Sequence, residues 1–210
     1  MSLKLKNIVD AIEEVGLSNK SLCLHSSLRS FGFVEGGAKT VVDALIKQNC
    51  TVVVPTFSYD FSIPPPKDIT LPLQNALKPS ELNYTPKAGV NKVYSPASNE
   101  IHKSMGIIPK YVLSIAGRMR GNHPLGSFTA IGSKAKEIIE KQTPDNVYDP
   151  LTELSKDNGL LVLMGVDLTT ATAIHYAEEL AGRRMFIRWT NDVFGSPIMV
   201  KIGGCSYGSK

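Results

Sequence analysis

The sequence has little cysteine and no long apolar run, and each shortage excludes a class of protein. Only three of the 210 residues are cysteine, and they are isolated, with no CxxC pair. This pattern argues against a disulfide framework and against a zinc site, and it favours a reducing compartment. No apolar run reaches the length of a membrane span, and the amphipathic N-terminus carries acids, unlike a signal peptide. We therefore expect a cytoplasmic protein without a bound metal.

A dense basic run is also missing. The chain has 23 Lys and Arg against 19 Asp and Glu, a formal net charge of +4, so the charge does not require nucleic acid as a partner. A weakly basic surface still suits an anionic small ligand. A hydrophobic content of 42% is typical of a globular protein. No linker divides the sequence, which predicts a single domain over residues 1–210, with small-molecule partners, no membrane partner and the oligomeric state left open.

The first 55 residues predict an α/β fold. Residues 4–15 and 38–48 have apolar side chains at a helical period, and residues 21–25 and 51–55 are short β-branched or apolar strands. Strands that alternate with helices in this way are typical of α/β proteins.

The rest of the chain predicts a less regular sequence of elements. Residues 56–103 are rich in proline and lack a clear period, which fits either a functional loop or a surface insertion. The elements predicted after this segment are helices over 105–116 and 130–141, a short helix, a buried strand over 159–166, a helix over 169–182, and a β-pair at 184–190 and 197–202.

The segment 169–182 carries the clearest chemical pattern. Its helical spacing puts Thr172, His175, Glu178 and Glu179 on one face. A hydroxyl, an imidazole and a carboxylate within mutual reach can supply an oxyanion donor, a general base and a group that orients the base. The alternative is a capped amphipathic helix with a partly buried histidine, and spacing alone favours this plainer interpretation.

Two further loops suit an anion. The Ser- and Gly-rich loop 25–37 lies between a strand and a helix, where backbone N–H groups can bind a pyrophosphate or carboxylate. Arg118, Arg120 and His123 fall within six positions of one another, and paired arginines bind phosphate well. Each loop has a plain alternative, a flexible connection for the first and a solvated basic turn for the second.

Other catalytic patterns are weak or missing. The four histidines show neither HExxH nor another metal-ligand spacing, and the sequence has no P-loop and no GxSxG nucleophile motif. Cys205, in the segment GGCSYG, is a candidate nucleophile, but no neighbour in the sequence would activate it.

Taken together, these segments resemble the aminoglycoside 3-N-acetyltransferase family. Five blocks match in order: LHSSLRSFGFVEGGAKTVVDAL, MGIIPKYV, RGNHPLGSFTAIGSKA, LLVLMGVDLTTATAIHYAEELAG and IGGCSYG. The His-Pro block and the Thr-x-x-His-x-x-Glu block are together more specific than either is alone.

The resemblance implies a fold and a reaction. The family fold is a single α/β domain with a central mixed sheet flanked by helices, distinct from the GNAT acetyltransferase fold. The implied reaction is direct transfer of an acetyl group from acetyl-coenzyme A to an amine, with His175 as general base, Glu178 as its orienting partner and Thr172 as oxyanion donor. The residues implied to bind coenzyme A or border the cleft are Ser26, Ser27, Leu28, Arg120, His123 and Ser127.

The match also departs from the family pattern. Gly121 stands where the family has Ser after the Arg, and relatives usually continue past the GGCSxGF segment, so we expect the domain to be short at its C-terminal end. The region 56–103 carries only four acids, whereas polycationic antibiotics usually bind acidic clefts. The alternatives are therefore an amino-sugar acyltransferase of a surface-polysaccharide pathway, a coenzyme A-binding protein without turnover, and a cysteine hydrolase.

Overall fold

The structure is a computed structural model that describes residues 2–66 and 92–204. Its strands are β1 (Ser2–Leu3), β2 (Ser21–Ser26), β3 (Phe33–Val34), β4 (Thr51–Pro55), β5 (Met119–Arg120), β6 (Phe128–Ile131), β7 (Leu160–Met164), β8 (Phe186–Asn191) and β9 (Pro197–Ile202). Its helices are α1 (Leu5–Glu14), α2 (Ala38–Lys47), α3 (Ile107–Ser114), α4 (Ala135–Ile139), α5 (Asp149–Lys156) and α6 (Ala173–Leu180).

A five-stranded mixed sheet forms the centre of the fold, in the order β5-β6-β4-β2-β7. Strand β2 is parallel to both of its neighbours, β4 and β7, whereas β6 is antiparallel to β4 and β5. This arrangement confirms the predicted α/β fold with a central mixed sheet. The carboxyl ends of the three parallel strands therefore lie together along one edge.

Alternating side chains of the central strands separate two hydrophobic clusters. Leu22 and Leu24 of β2 pack with α1, α2 and α3 on one face, because alternate residues of a strand point to opposite sides. Cys23, between them, packs with α4 and α5 on the other face. The sheet is thus covered by helices on both sides.

The later elements differ from their predictions. Residues 128–131 form a strand, and the helix predicted over 130–141 is reduced to α4. The strand predicted as buried, β7, is at the edge of the sheet, where Leu160 and Leu161 are each 38% exposed. The helix predicted over 169–182 begins only at Ala173, after a short 3-10 turn.

Strands β8 and β9 form a separate antiparallel hairpin, which confirms the predicted β-pair. In the two described ranges no helix is long and apolar enough to cross a bilayer. Cys205 lies outside the described residues, and so does the stretch 67–91 of the proline-rich segment.

Candidate functional site

A cavity of about 800 Å³ opens where the three parallel strands of the sheet end. Its walls include Ser26–Arg29 after β2, Phe57 after β4, and Thr169–Thr172 after β7. Because the loops at the carboxyl ends of parallel strands converge, this edge of an α/β sheet is the usual place for a ligand site. Residues 103–107, which form a 3-10 turn and lead into α3, also line the cavity, and Gly106 lies beside the Ser26 carbonyl.

His175 and Glu178 form a hydrogen-bonded pair at this cavity. One turn apart on α6, they bring His175 Nδ1 within 2.8 Å of Glu178 Oε2. His175 lines the cavity, and its side chain keeps 17% of its surface exposed. Since a carboxylate accepts hydrogen bonds, the pair sets the imidazole proton on Nδ1 and makes Nε2 the basic nitrogen.

Arg183 extends this pair to a third residue. Its Nη1 donates to Glu178 Oε1, while the other oxygen of the same carboxylate binds His175. The hydrogen bond from His175 and the positive charge of Arg183 together hold the pKa of Glu178 below its ordinary value. Glu178 is therefore a stable anion behind the imidazole.

Thr172 lies just before α6 and is buried against the centre of the sheet. Its backbone N–H donates to His25 Nε2 at 3.4 Å, and both residues line the cavity. Thr172 and His175 are thus brought to the same cavity, as the helical spacing predicted. The two residues lie on consecutive turns of the chain, with Thr172 preceding the helix rather than within it.

Ser26, Ser27 and Leu28 also line the cavity. Ser27 N–H donates to the Met164 carbonyl at 2.9 Å, which fixes the loop after β2 to the end of β7. Ser26 Oγ is buried and meets no hydrogen-bond partner among the residues described. With Arg29 on the same wall, this loop offers an unused hydroxyl and a positive charge to a ligand.

Arg120 does not line the cavity and is instead buried behind it. Its guanidinium donates to the carbonyls of Ser98, Glu100 and Thr56 at 2.6, 2.8 and 2.9 Å. Its Nε donates to Ser127 Oγ at 3.0 Å. Arg120 therefore joins segments of the protein itself that lead to the cavity walls.

His123 and Ser127 are fully buried and likewise lie away from the cavity lining. The ring of His123 accepts from Gly126 N–H at 2.8 Å and lies 2.8 Å from the Lys201 carbonyl. Ser127 Oγ, besides accepting from Arg120, donates to the Thr56 carbonyl at 3.0 Å. The coenzyme A role predicted for these residues remains a prediction, and their visible contacts are all internal.

The structure adds residues that the sequence did not mark. His25, Tyr148 and Lys103 line the cavity without belonging to a recognisable catalytic spacing. The position of His25 near the end of a short apolar strand was the one available signal, since such ends face ligand sites in parallel sheets. Gly36, just before α2, lines a separate groove with Lys39 and Lys110 rather than the cavity.

The sequence is similar to those of known proteins. A sequence model described as aminoglycoside 3-N-acetyltransferase matches residues 23–202. Aminoglycoside N(3)-acetyltransferase III from Salmonella sp is 29% identical over 186 residues, which cover 84% of this chain and 60% of that protein. The prophage-derived aminoglycoside N(3')-acetyltransferase-like protein YokD of Bacillus subtilis (strain 168) is 27% identical over 210 residues, 93% of this chain and 70% of that protein.

Solved structures share the fold. The crystal structure of YokD from Bacillus subtilis superposes with a TM-score of 0.76 at 24% identity, over 96% of this chain and 75% of that one. A binary complex of AAC-IIIb with CoASH superposes with a TM-score of 0.74 at 18% identity, over 97% of this chain and 77% of that one.

These matches cover more of this chain than of its relatives. The chain spans about 60% of the length of the first curated relatives, while the family match covers most of the chain itself and includes the cavity loops and α6. The chain belongs to the aminoglycoside 3-N-acetyltransferase family.

Proposed function

We propose that this chain transfers an acetyl group from acetyl-coenzyme A to an amine of an aminoglycoside or amino sugar, with His175 as the general base. The observation that carries the proposal is the 2.8 Å hydrogen bond between His175 and Glu178 at the wall of the cavity. A base held by a carboxylate beside a ligand-sized cavity is the arrangement that proton abstraction needs.

The proton transfer follows from this geometry. An amine substrate is mostly protonated near neutral pH, and it must lose a proton to become acylated. The carboxylate of Glu178 holds the proton of His175 on Nδ1 and stabilises the imidazolium that forms when Nε2 accepts a proton. When the bound amine attacks the acetyl carbon, the carbon–sulfur bond breaks, and the proton taken up by His175 can pass to the departing sulfur. This transfer needs no covalent enzyme intermediate, because both substrates would lie side by side in one cavity.

The residues of the cavity fit coenzyme A. When bound, acetyl-coenzyme A supplies an activated acetyl thioester. The cationic side chains of Arg29 and Lys103 suit its phosphates, and the buried Ser26 hydroxyl can take up a hydrogen bond from a polar ligand group. Thr172 lines the same cavity as His175, and its hydroxyl would donate to the oxygen that gains negative charge during acyl transfer.

Within the described part of the chain, the cavity lining contains the cations Arg29 and Lys103 and neither Asp nor Glu. These are the two cations that suit the phosphates of coenzyme A, so the acceptor class is identified by comparing two panels of acceptors.

The test is release of the coenzyme A thiol from acetyl-coenzyme A in the presence of acceptors. Two panels are compared, deoxystreptamine antibiotics and nucleotide-linked amino sugars. We expect turnover that falls by about 10²-fold or more in His175→Ala. Glu178→Gln should lower kcat about 10-fold or more, and Glu179→Gln serves as the matched control, since it removes a neighbouring charge of α6 and keeps the hydrogen bond between His175 and Glu178.

The outcomes separate the alternatives. Turnover with only one panel identifies the acceptor class. Turnover that persists at the original rate in His175→Ala refutes the base assignment. Binding of coenzyme A without turnover for any acceptor would instead support a binding protein that lacks the reaction.

A further inference from the structure

We propose that His25 is a positioning residue for this site: its Nε2 accepts the Thr172 N–H and so holds the start of α6, and with it His175, against the central strand β2. The proposal rests on the proposed acyl transfer for its effect on turnover. Its structural part stands on the contacts of His25 alone.

His25 occupies a central place in the sheet. It is the fifth residue of β2 and lies opposite Leu163 of β7 in the parallel register. Only 7% of its surface is exposed, and it lines the cavity. A histidine at this point is therefore in contact both with the frame of the fold and with the ligand space.

The neighbours of Nε2 decide its role. The Thr172 backbone N–H, 3.4 Å away, can only donate. The sulfur of Cys23 lies 3.9 Å from the same nitrogen, and complete burial raises the pKa of this thiol to about 12, so it stays protonated. Nε2 therefore carries a lone pair, and the proton of the neutral ring is on Nδ1.

The donor of this hydrogen bond, Thr172 N–H, lies at the N-terminus of α6. Thr172 precedes the first turn of α6, where backbone N–H groups have no partner within the helix, and its side chain makes no capping hydrogen bond. None of the residues of α6 is fully buried. A second hydrogen bond, from Thr152 Oγ1 to Tyr176 Oη at 3.1 Å, joins α5 to α6 farther along the helix. The His25 contact thus joins the N-terminal end of α6 to β2, one turn before His175.

Two substitutions of His25 test its two ring nitrogens separately. The side-chain oxygen of Gln can reach the position of Nε2, so His25→Gln keeps an acceptor for Thr172. The shorter side chain of His25→Asn replaces only the position of Nδ1 and leaves Thr172 N–H without its partner. The matched pair therefore distinguishes loss of the acceptor from loss of the imidazole as such.

The experiment measures turnover and the Thr172 amide together. We expect His25→Asn to lower kcat by about 10-fold or more with the KM for acetyl-coenzyme A nearly unchanged, and His25→Gln to restore most of the rate. Hydrogen exchange of the Thr172 amide should be faster in His25→Asn than in the wild type and slow in His25→Gln. An equal loss of kcat and equal amide exchange in both variants would overturn the proposal.

A measurement on the unchanged protein completes the test. A long-range proton–nitrogen NMR spectrum identifies which nitrogen of His25 carries the proton. A proton on Nδ1 supports the proposal, and a proton on Nε2 refutes it, whether or not the variants fold. Because this measurement needs no substrate, it stays informative if acetyl transfer is not found.

Discussion

At the scale of single residues, His123 couples the stability of the fold to pH. Its ring is fully buried, accepts from Gly126 N–H and, at 2.8 Å, donates to the carbonyl of Lys201. Burial lowers the pKa of His123 from its ordinary value of 6.5 to about 4. As the pH falls through this window, the unfolded chain binds a proton that the folded chain excludes. We expect the free energy of unfolding to fall with pH by up to roughly 3 kcal/mol from this residue.

Urea unfolding at pH 7, 6, 5 and 4 measures the effect. His123→Asn is the control, because it can still accept from Gly126 N–H but does not titrate in this range. The variant should be less stable at pH 7 and should lose less stability on acidification. Parallel curves for the two proteins would contradict the assignment.

Sequence reasoning predicted some of the site residues and missed others for a physical reason. The spacing of His175 and Glu178 is local, so a helical period predicted that they share one face of a helix with Glu179. The family resemblance implied the pairing with Glu178, and the structure contains that hydrogen bond. The partner of His123 is 78 positions away, at Lys201, and no local pattern predicts such a contact. His25 was missed in the same way, since its partner Thr172 is 147 positions along the chain.

At the scale of elements, the close approach of β9 to α6 depends on a glycine. A Cβ added at Gly203 would lie 2.0 Å from Tyr148 Oη and 3.0 Å from His175 Cβ. Gly203→Ala must therefore displace either the Tyr148 ring or the helix that carries His175. We expect kcat to fall about 10-fold or more and the free energy of unfolding to fall by about 1–3 kcal/mol.

The clash with Tyr148 offers its own control. Tyr148→Phe removes the oxygen that the new methyl group would meet first. We expect Gly203→Ala to lower kcat less when it is introduced into Tyr148→Phe than when it is introduced into the wild type. Independent, additive effects of the two substitutions would show that they do not meet in the structure.

Arg120 connects three other segments, and its structural role differs measurably from phosphate binding. Arg120→Met removes three hydrogen bonds to the carbonyls of Thr56, Ser98 and Glu100. Although Thr56 keeps the Ser127 hydroxyl and Ser98 keeps Arg118 as donors, we expect a loss of about 2–4 kcal/mol in the free energy of unfolding. Arg118→Met is the control, because the hydrogen bonds of that side chain to described residues go to Ala97, Ser98 and Asn99.

The alternative role of Arg120 is the predicted binding of a coenzyme A phosphate, and it leads to a different result. If Arg120 bound a phosphate, Arg120→Lys would raise the KM for acetyl-coenzyme A while leaving stability unchanged. Thermal unfolding and kinetics on the same preparation distinguish the two roles.

Elements with a strong local period were predicted well, and those defined by distant pairing were not. The periods of α1 and α2 are amphipathic, and both helices lie within a residue of their predicted bounds. Strand β6 has four buried residues in succession, so its sequence lacks the alternation of a half-buried strand. Strand β7 was predicted as buried because it is apolar, but only its pairing with β2 decides that it lies at an edge.

At the scale of the whole molecule, the charge of the protein and that of the cavity act in the same direction. The chain carries a net charge of +4, and the cations Arg29 and Lys103 stand at the cavity. An anionic donor such as acetyl-coenzyme A would be attracted from a distance and then bound by nearby positive charges. Salt weakens both interactions, because at about 0.1 M the screening length is only about 10 Å.

The KM for acetyl-coenzyme A should therefore rise about 3- to 10-fold between 20 mM and 500 mM NaCl on this estimate of screening, while kcat changes little. Arg29→Met/Lys103→Met should raise the KM at low salt and flatten its dependence on salt. Lys6→Met removes the same kind of charge from α1, where Lys6 pairs with Asp10, and should leave the slope unchanged. If Lys6→Met flattened the slope as much as a change at the cavity, net charge alone would account for the attraction, and Arg29 and Lys103 would not be the groups that bind the phosphates.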